Sequence, residues 1–331
     1  MRNPTLDILR LLAITMIVLM HSPLPDGNSP GWLLSGISYL TAPGIGLFFM
    51  VSGALLLRNK LSQKEFLKRR FSKILWPTLV WSVFYLALKY WSEPPTAAEA
   101  TTEVLSIPLS AQGHGVLWFM YTLAGLYLLT PILSQWLQRA GKREVLFYLG
   151  LWAVTLTYPY LKFFGLKIND SDTGILYYFA GYAGYYLLGF WLSEYVRLSR
   201  MKWLIVTALS CAAVVCAPAG LLLSGREFNF YQLLWYLSLP VALMALLWWL
   251  LLHRFNIKSL PVWVTRMSKL SFGVYLIHIF VMRWLLWPLP WVQALSGPVE
   301  IVVVTIGTMA ISWAVVWCVS RLPVSKYIIG V

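Results

Sequence analysis

Residues 6–23 read LDILRLLAITMIVLMHSP, and this stretch decides the architecture. It is nearly long enough to cross a bilayer, whose apolar core takes about 20 residues of helix. Yet Asp7 and Arg10 stand where the apolar region of a signal peptide would begin, and no small-x-small cleavage site follows His21. The stretch therefore reads as a retained first transmembrane helix with an unusual polar stripe. At about 100° per residue, Arg10 and His21 return to within about 20° of one face, and Asp7 lies on that same face. Along the axis, His21 stands about 16 Å beyond Arg10.

The rest of the chain agrees with a membrane reading. Of 331 residues, 59% are hydrophobic and only 11% charged, against about 25% charged in soluble domains. A soluble fold of this size could not cover its core, whereas lipid solvates an apolar exterior. Ten apolar stretches qualify as spans: residues 6–23, 40–57, 74–91, 116–137, 145–163, 175–196, 203–223, 231–253, 270–289 and 299–322. Pro159 interrupts the fifth, and Pro43 with Gly44 and Gly46 predicts an irregular start to the second. Continuous rather than alternating apolar runs exclude an outer-membrane barrel.

Charge placement orients these spans. Lys+Arg number 26 against Asp+Glu 12, a formal charge of +14. The excess sits between spans in alternate loops, as the positive-inside rule requires, and does not point to nucleic acid. With the N-terminus inside, the first inner loop carries Arg58, Lys60, Lys64, Lys68, Arg69, Arg70 and Lys73 against Glu65 alone. Outer loop 92–115 has Glu93, Glu99 and Glu103 and no Lys or Arg, and is long enough for a short surface helix. Another outer loop pairs Arg226 with Glu227. The expectation is all-α, polytopic, about ten spans, both termini cytoplasmic, one domain over 1–331. Cys211, Cys216 and Cys318 lie inside apolar runs without metal-ligand spacing and read as packing residues; no metal is expected.

Ionisable side chains inside spans are functional candidates, each with a structural alternative. His21 is either catalytic or an interfacial histidine. Asp7 and Arg10 are either a binding pair or an ion pair that orients the helix. His278 with Arg283 in the ninth span is either part of a site or an interhelical packing histidine. Arg69, Arg70 and Lys73, which run into Ile74-Leu75-Trp76-Pro77, suit phosphate: Arg as a fork, Lys as a point charge. The same cluster also suits anionic membrane lipids. No glycine-rich nucleotide loop exists, so side chains would hold any nucleotide. Gly44, Gly46 and Gly53 read as close-packing positions, Ser52 between them as a polar neighbour, and Trp118 as a cavity or belt residue.

These pieces, in this order, resemble the membrane acyltransferase 3 family. The resemblance runs from Leu6-Asp7-Ile8-Leu9-Arg10 to His21, through Gly46-Leu47-Phe48-Phe49-Met50-Val51-Ser52-Gly53 and the Arg-rich approach to Trp76-Pro77. It continues through Leu117-Trp118-Phe119 and ends in Ser271-Phe272-Gly273-Val274-Tyr275-Leu276-Ile277-His278. It departs in three places. Arg70 and Lys73 stand for the family's Arg-x-x-Arg, Gly46 stands where an acidic residue is common, and Val116 stands where a histidine is common, with His114 two earlier.

The resemblance implies a bacterial inner-membrane enzyme moving acetyl from acetyl-CoA to a hydroxyl of a surface polysaccharide or lipid-linked sugar. It implies donor contacts at Arg10, Arg69, Arg70 and Lys73, chemistry at His21 as base or transient acetyl carrier, and acceptor contacts among Asp7, Ser52, Trp118, Tyr275 and His278. The competing expectation is a transporter or flippase for a glycan-related or small anionic substrate, against which no inverted repeat is visible.

Overall fold

A computed structural model describes residues 3–25, 29–111, 117–197, 199–225 and 233–331. His114, Val116 and the Arg226–Glu227 pair lie outside the described residues. Among those described, every regular element is helical.

Helix α1 (Pro4–His21) is specified at its start. The Asn3 side chain accepts from the Thr5 N–H at 3.0 Å, Pro4 opens the first turn, and Asp7 lies in it. The helix is central, packing on α3 (Pro43–Leu56), α12 (Leu239–Arg254), α13 (Val262–Phe280) and α15 (Gly297–Val319), the one-turn α14 (Pro290–Gln293) lying just before the last. The predicted irregularity before Gly44 is a break between α2 (Gly31–Thr41) and α3 (Pro43–Leu56), where Pro43 begins a new helix.

Helix α3 crosses α10 (Ala183–Tyr195) with backbones in direct contact. A Cβ on Gly53 would lie 1.8 Å from the Tyr186 carbonyl oxygen, and one on Gly189 would lie 1.9 Å from that of Met50. Only glycine permits this crossing.

Among the described residues, six helical stretches are long and apolar enough to span a membrane: Pro4–His21, Gly31–Leu56, Gln63–Ser92, Arg200–Leu223, Val262–Leu286 and Gly297–Val319. The third joins α4 (Gln63–Phe66), a π-helical turn and α5 (Ser72–Ser92). The other four predicted stretches are helical but shorter or more polar. Helix α7 (Trp118–Leu137) keeps 20 residues but includes Thr122, Thr130, Ser134 and Gln135. The fifth stops at Thr155 as α8 (Lys142–Thr155) and resumes as α9 (Tyr158–Phe163), with Pro159 at the restart. The sixth is helical continuously only from Ala183, after Gly181 at φ 88°. The eighth is continuous from Leu239, with Pro240 in its first turn.

The loop after α5 holds the short surface helix expected there, α6 (Ala97–Ser106), started by a reciprocal Thr96–Glu99 capping box. Helix α11 (Arg200–Leu223) buries only Ser210 and Leu221, so its apolar side chains face outward, as lipid requires. One expectation fails here. Cys211, Cys216 and Cys318 are exposed, not packed, because they fall on the outward faces of α11 and α15.

Candidate active site

The basic cluster is built by a change of helical pitch. Ser62 caps α4, Phe66 is fully buried against Tyr127 with ring centroids 6.0 Å apart, and Leu67–Phe71 then form a π turn. A π turn accommodates an extra residue and is common at functional sites. Lys68, Arg69 and Arg70 all stay exposed on it. With Lys73, Trp76, Lys326 and Tyr327 they line an open groove of about 770 Å³. Arg69 also lies 3.6 Å from Glu65.

Lys73 forms a wall of a second, smaller cavity of about 190 Å³. Arg10, Ser52, Tyr127, Ser268 and Tyr275 line it, together with Phe48 and Phe119. Four residues separated widely in sequence therefore meet: Arg10 from α1, Ser52 from α3, Lys73 from α5 and Tyr275 from α13. Asp7 is buried beside them, accepting a hydrogen bond from the Ser268 hydroxyl at 2.8 Å and lying 3.8 Å from the Arg10 guanidinium.

From Tyr275 an unbroken ring path leads to the other end of α1. The Tyr275 ring lies 5.1 Å from Phe119 and 5.5 Å from His278, and His278 meets His21 edge-on at 5.5 Å and 66°. The Nδ1 of His21 is 2.8 Å from the Ile17 carbonyl oxygen, and that of His278 is 2.5 Å from the Tyr275 carbonyl oxygen. A carbonyl oxygen only accepts, so each Nδ1 carries the hydrogen and, in the neutral ring, each Nε2 is a bare acceptor. His278 is buried, and its Nε2 has no hydrogen-bond partner among the described residues. The end of α1 is clamped beside them: Thr305 donates to the Ser22 hydroxyl at 2.8 Å, and the Trp287 indole donates to the Ser22 carbonyl at 3.3 Å.

A family model for the acyltransferase domain of the acyltransferase 3 type matches residues 3–317. The chain belongs to the acyltransferase 3 family. Comparison with curated proteins and with solved structures gave no match. The family match makes the protein a membrane acyltransferase and leaves the transporter reading without support.

Within this acyltransferase, the sequence candidates fall into three places. Arg69, Arg70 and Lys73 line the basic groove; Arg10, Ser52, Lys73 and Tyr275 line the inner cavity; His21 and His278 pair beyond it. Trp118 lines neither cavity. It packs at 5.1 Å on Tyr182 and 5.7 Å on Tyr236, whose hydroxyl donates to the Met20 sulfur beside His21.

One departure from the family pattern has a local cause. A Cβ on Gly46 would lie 2.7 Å from the Tyr185 ring, which fills the space a side chain would need, and the Tyr185 hydroxyl is fixed on the Tyr236 carbonyl at 2.7 Å.

Sequence reading missed several contributors. Ser268 holds Asp7, Tyr85 donates to the Leu276 carbonyl at 2.8 Å, and Lys326 with residues 329–331 closes the groove and the inner cavity. Buried Glu300 at the start of α15 was also passed over, and its Oε1 has no partner among the described residues. A lone carboxyl opening a long apolar run was its available signal.

Proposed function

We propose that this acyltransferase moves an acetyl group from acetyl-CoA to a hydroxyl of a surface polysaccharide or lipid-linked sugar at the bacterial inner membrane. In this reading the chain crosses ten times with both termini in the cytoplasm. The observation that carries it is the ordering along α1: basic groove, then Arg10 cavity, then the His278–His21 pair about 16 Å beyond Arg10.

The donor's phosphates sit against Arg69, Arg70 and Lys73. Charge-assisted hydrogen bonds of this kind are the strong ones, and Arg binds phosphate as a two-pronged fork. Lys73 and Arg10, which both line the inner cavity, guide the rest of the donor inward. Asp7, held by Ser268, orients Arg10. The acceptor approaches His21 from the side of Tyr236 and Trp118.

His21 is set up for the chemistry by its Ile17 hydrogen bond, which fixes the ring and leaves Nε2 as acceptor. In the direct route, Nε2 takes the proton of the sugar hydroxyl as its oxygen attacks the thioester carbonyl carbon. The carbon–sulfur bond breaks, and the imidazolium returns the proton to the departing thiolate. In the two-step route, Nε2 itself attacks the thioester carbonyl carbon and the carbon–sulfur bond breaks, CoA leaving as the thiolate. The sugar hydroxyl oxygen then attacks the acetyl carbon, the acetyl–nitrogen bond breaks, and the freed Nε2 takes the hydroxyl proton and passes it to water. The second route moves acetyl across the bilayer while CoA stays on its own side. His278, packed edge-on, restricts the His21 ring in either route.

Purified protein given acetyl-CoA should release CoA over many turnovers only when an acceptor glycan is present, donor alone yielding at most one equivalent per chain. No CoA release with any hydroxyl acceptor, despite a folded preparation, overturns the proposal. Ping-pong kinetics selects the two-step route, and obligatory ternary-complex kinetics selects the direct one.

A further inference from the structure

At the same end of α1 as the basic groove lies a cavity of about 780 Å³ that touches the acyl-transfer path only at Asp7 and Arg10 and is otherwise lined by residues that path does not use. It is framed by the ends of α1, α3, α10, α11 and α12, and Arg10 alone is shared with the inner cavity. Its charged lining is Asp7, Arg10, Arg58, Arg197 and Arg254, with His253. Arg10 faces Asp7, and Arg58 is paired with Glu194 and bonded to the Ser193 carbonyl at 3.1 Å. Arg197 and Arg254 have no carboxylate within ion-pair distance among the described residues. Two uncompensated guanidinium groups thus face one cavity, a chemistry that suits a phosphate.

The rim of the cavity is apolar. Leu55 lines it while 43% exposed. Trp203 lines it from α11, and the next two residues, Leu204 and Ile205, stand 46% and 50% exposed on that helix. A polar, cationic pocket that opens onto a lipid-facing apolar surface matches an amphiphile more closely than a soluble anion. We propose that this cavity is a binding site for one phosphate-headed membrane lipid, its phosphate on Arg197 and Arg254 and its acyl chains along the face of α11. The site is separate from the proposed donor groove at residues 68–73 and stands or falls independently of it.

The test uses the purified full chain in a neutral detergent, with dioctanoyl phosphatidic acid and, in parallel, sn-glycerol 3-phosphate, counting bound molecules by native mass spectrometry. The expected result is one phosphatidic acid per chain, no retained glycerol phosphate at equal concentration, and binding roughly tenfold weaker in the Arg197→Gln/Arg254→Gln variant, which corresponds to about 1.4 kcal/mol. Both arginines are exposed, so the variant should keep the wild-type melting temperature, and Arg254→Gln alone should give an intermediate loss. The Arg69→Gln/Arg70→Gln protein should bind the lipid as the wild type does. Unchanged lipid affinity in the double variant overturns the proposal. So does glycerol phosphate binding as tightly as the lipid, which would make the site one for a soluble phosphate.

Discussion

Replacing Gly53 with alanine tests how tightly α3 and α10 cross behind the site. The added carbon would start 1.8 Å from the Tyr186 carbonyl oxygen and 2.7 Å from its carbon, whereas ordinary contact begins near 3.4 Å. The α3 and α10 backbones must therefore separate by about 1.6 Å, and no side-chain rotation can relieve the clash because the obstacle is main chain. Gly189 against the Met50 carbonyl pins the same crossing one turn away, so the strain cannot be tilted off to one end. Overpacking of this kind costs about 1–3 kcal/mol, and a backbone obstacle places the expected loss near the upper end.

Separation would also carry Ser52, the preceding residue, away from Arg10 and Lys73 in the inner cavity, so transfer should fall together with stability. Gly125→Ala provides the opposite control. Gly125 lies inside α7 with nothing within 4 Å of the added carbon, so alanine should stabilise that helix by about 0.5–1 kcal/mol. Thermal unfolding of both proteins in the same detergent reads the two signs. A Gly53→Ala protein that melts with the wild type and retains full transfer would refute the close crossing.

Three further outcomes follow from the same reasoning. Arg70→Ala should weaken CoA binding by about tenfold or more and Arg70→Lys by less, since lysine keeps the charge and loses the fork; equal affinity in wild type and Arg70→Ala removes Arg70 from the donor site. Gly46→Asp, although it brings the chain closer to the common family pattern, should lower the melting temperature, because the new side chain must displace the Tyr185 ring and its bond to Tyr236; an unchanged melt contradicts this. The Thr96 backbone N–H and hydroxyl hold the Glu99 carboxyl below its ordinary 4.5. Because its folded-state value is depressed, the cap's contribution is present above the unfolded value and is lost as pH falls through the folded one. Amide protection in α6, measured relative to the intrinsic exchange rate at each pH, should therefore fall on acidification, and Glu99→Gln should remove that pH dependence.

The parts of the site legible in the sequence are those that break the rules of a lipid environment. Asp7, Arg10, His21 and His278 stood out because charge in an apolar run is costly, and the helical period put the first three on one face. The break at Pro43 and the interruption at Pro159 were legible because proline acts locally. What the sequence withheld depends on partners distant in the chain. Nothing near Ser268 says that it holds Asp7, 261 residues earlier. Nothing near Gly46 says that a tyrosine from α10 occupies its side-chain space. The π turn at Leu67–Phe71, which leaves three cations exposed in succession, has no distinctive local signature beyond the basic run itself. The sixth and eighth apolar runs begin as continuous helix later than their composition suggests, because Gly181 and Pro240 set the helix start inside an otherwise apolar run.

The most direct test of the account is transfer of labelled acetyl from acetyl-CoA to a glycan acceptor by wild-type and His21→Ala protein, with insertion and melting temperature verified for both. The variant should fold, still bind CoA through Arg10, Arg69, Arg70 and Lys73, and transfer no acetyl above background. A folded His21→Ala protein that transfers at close to the wild-type rate would contradict it.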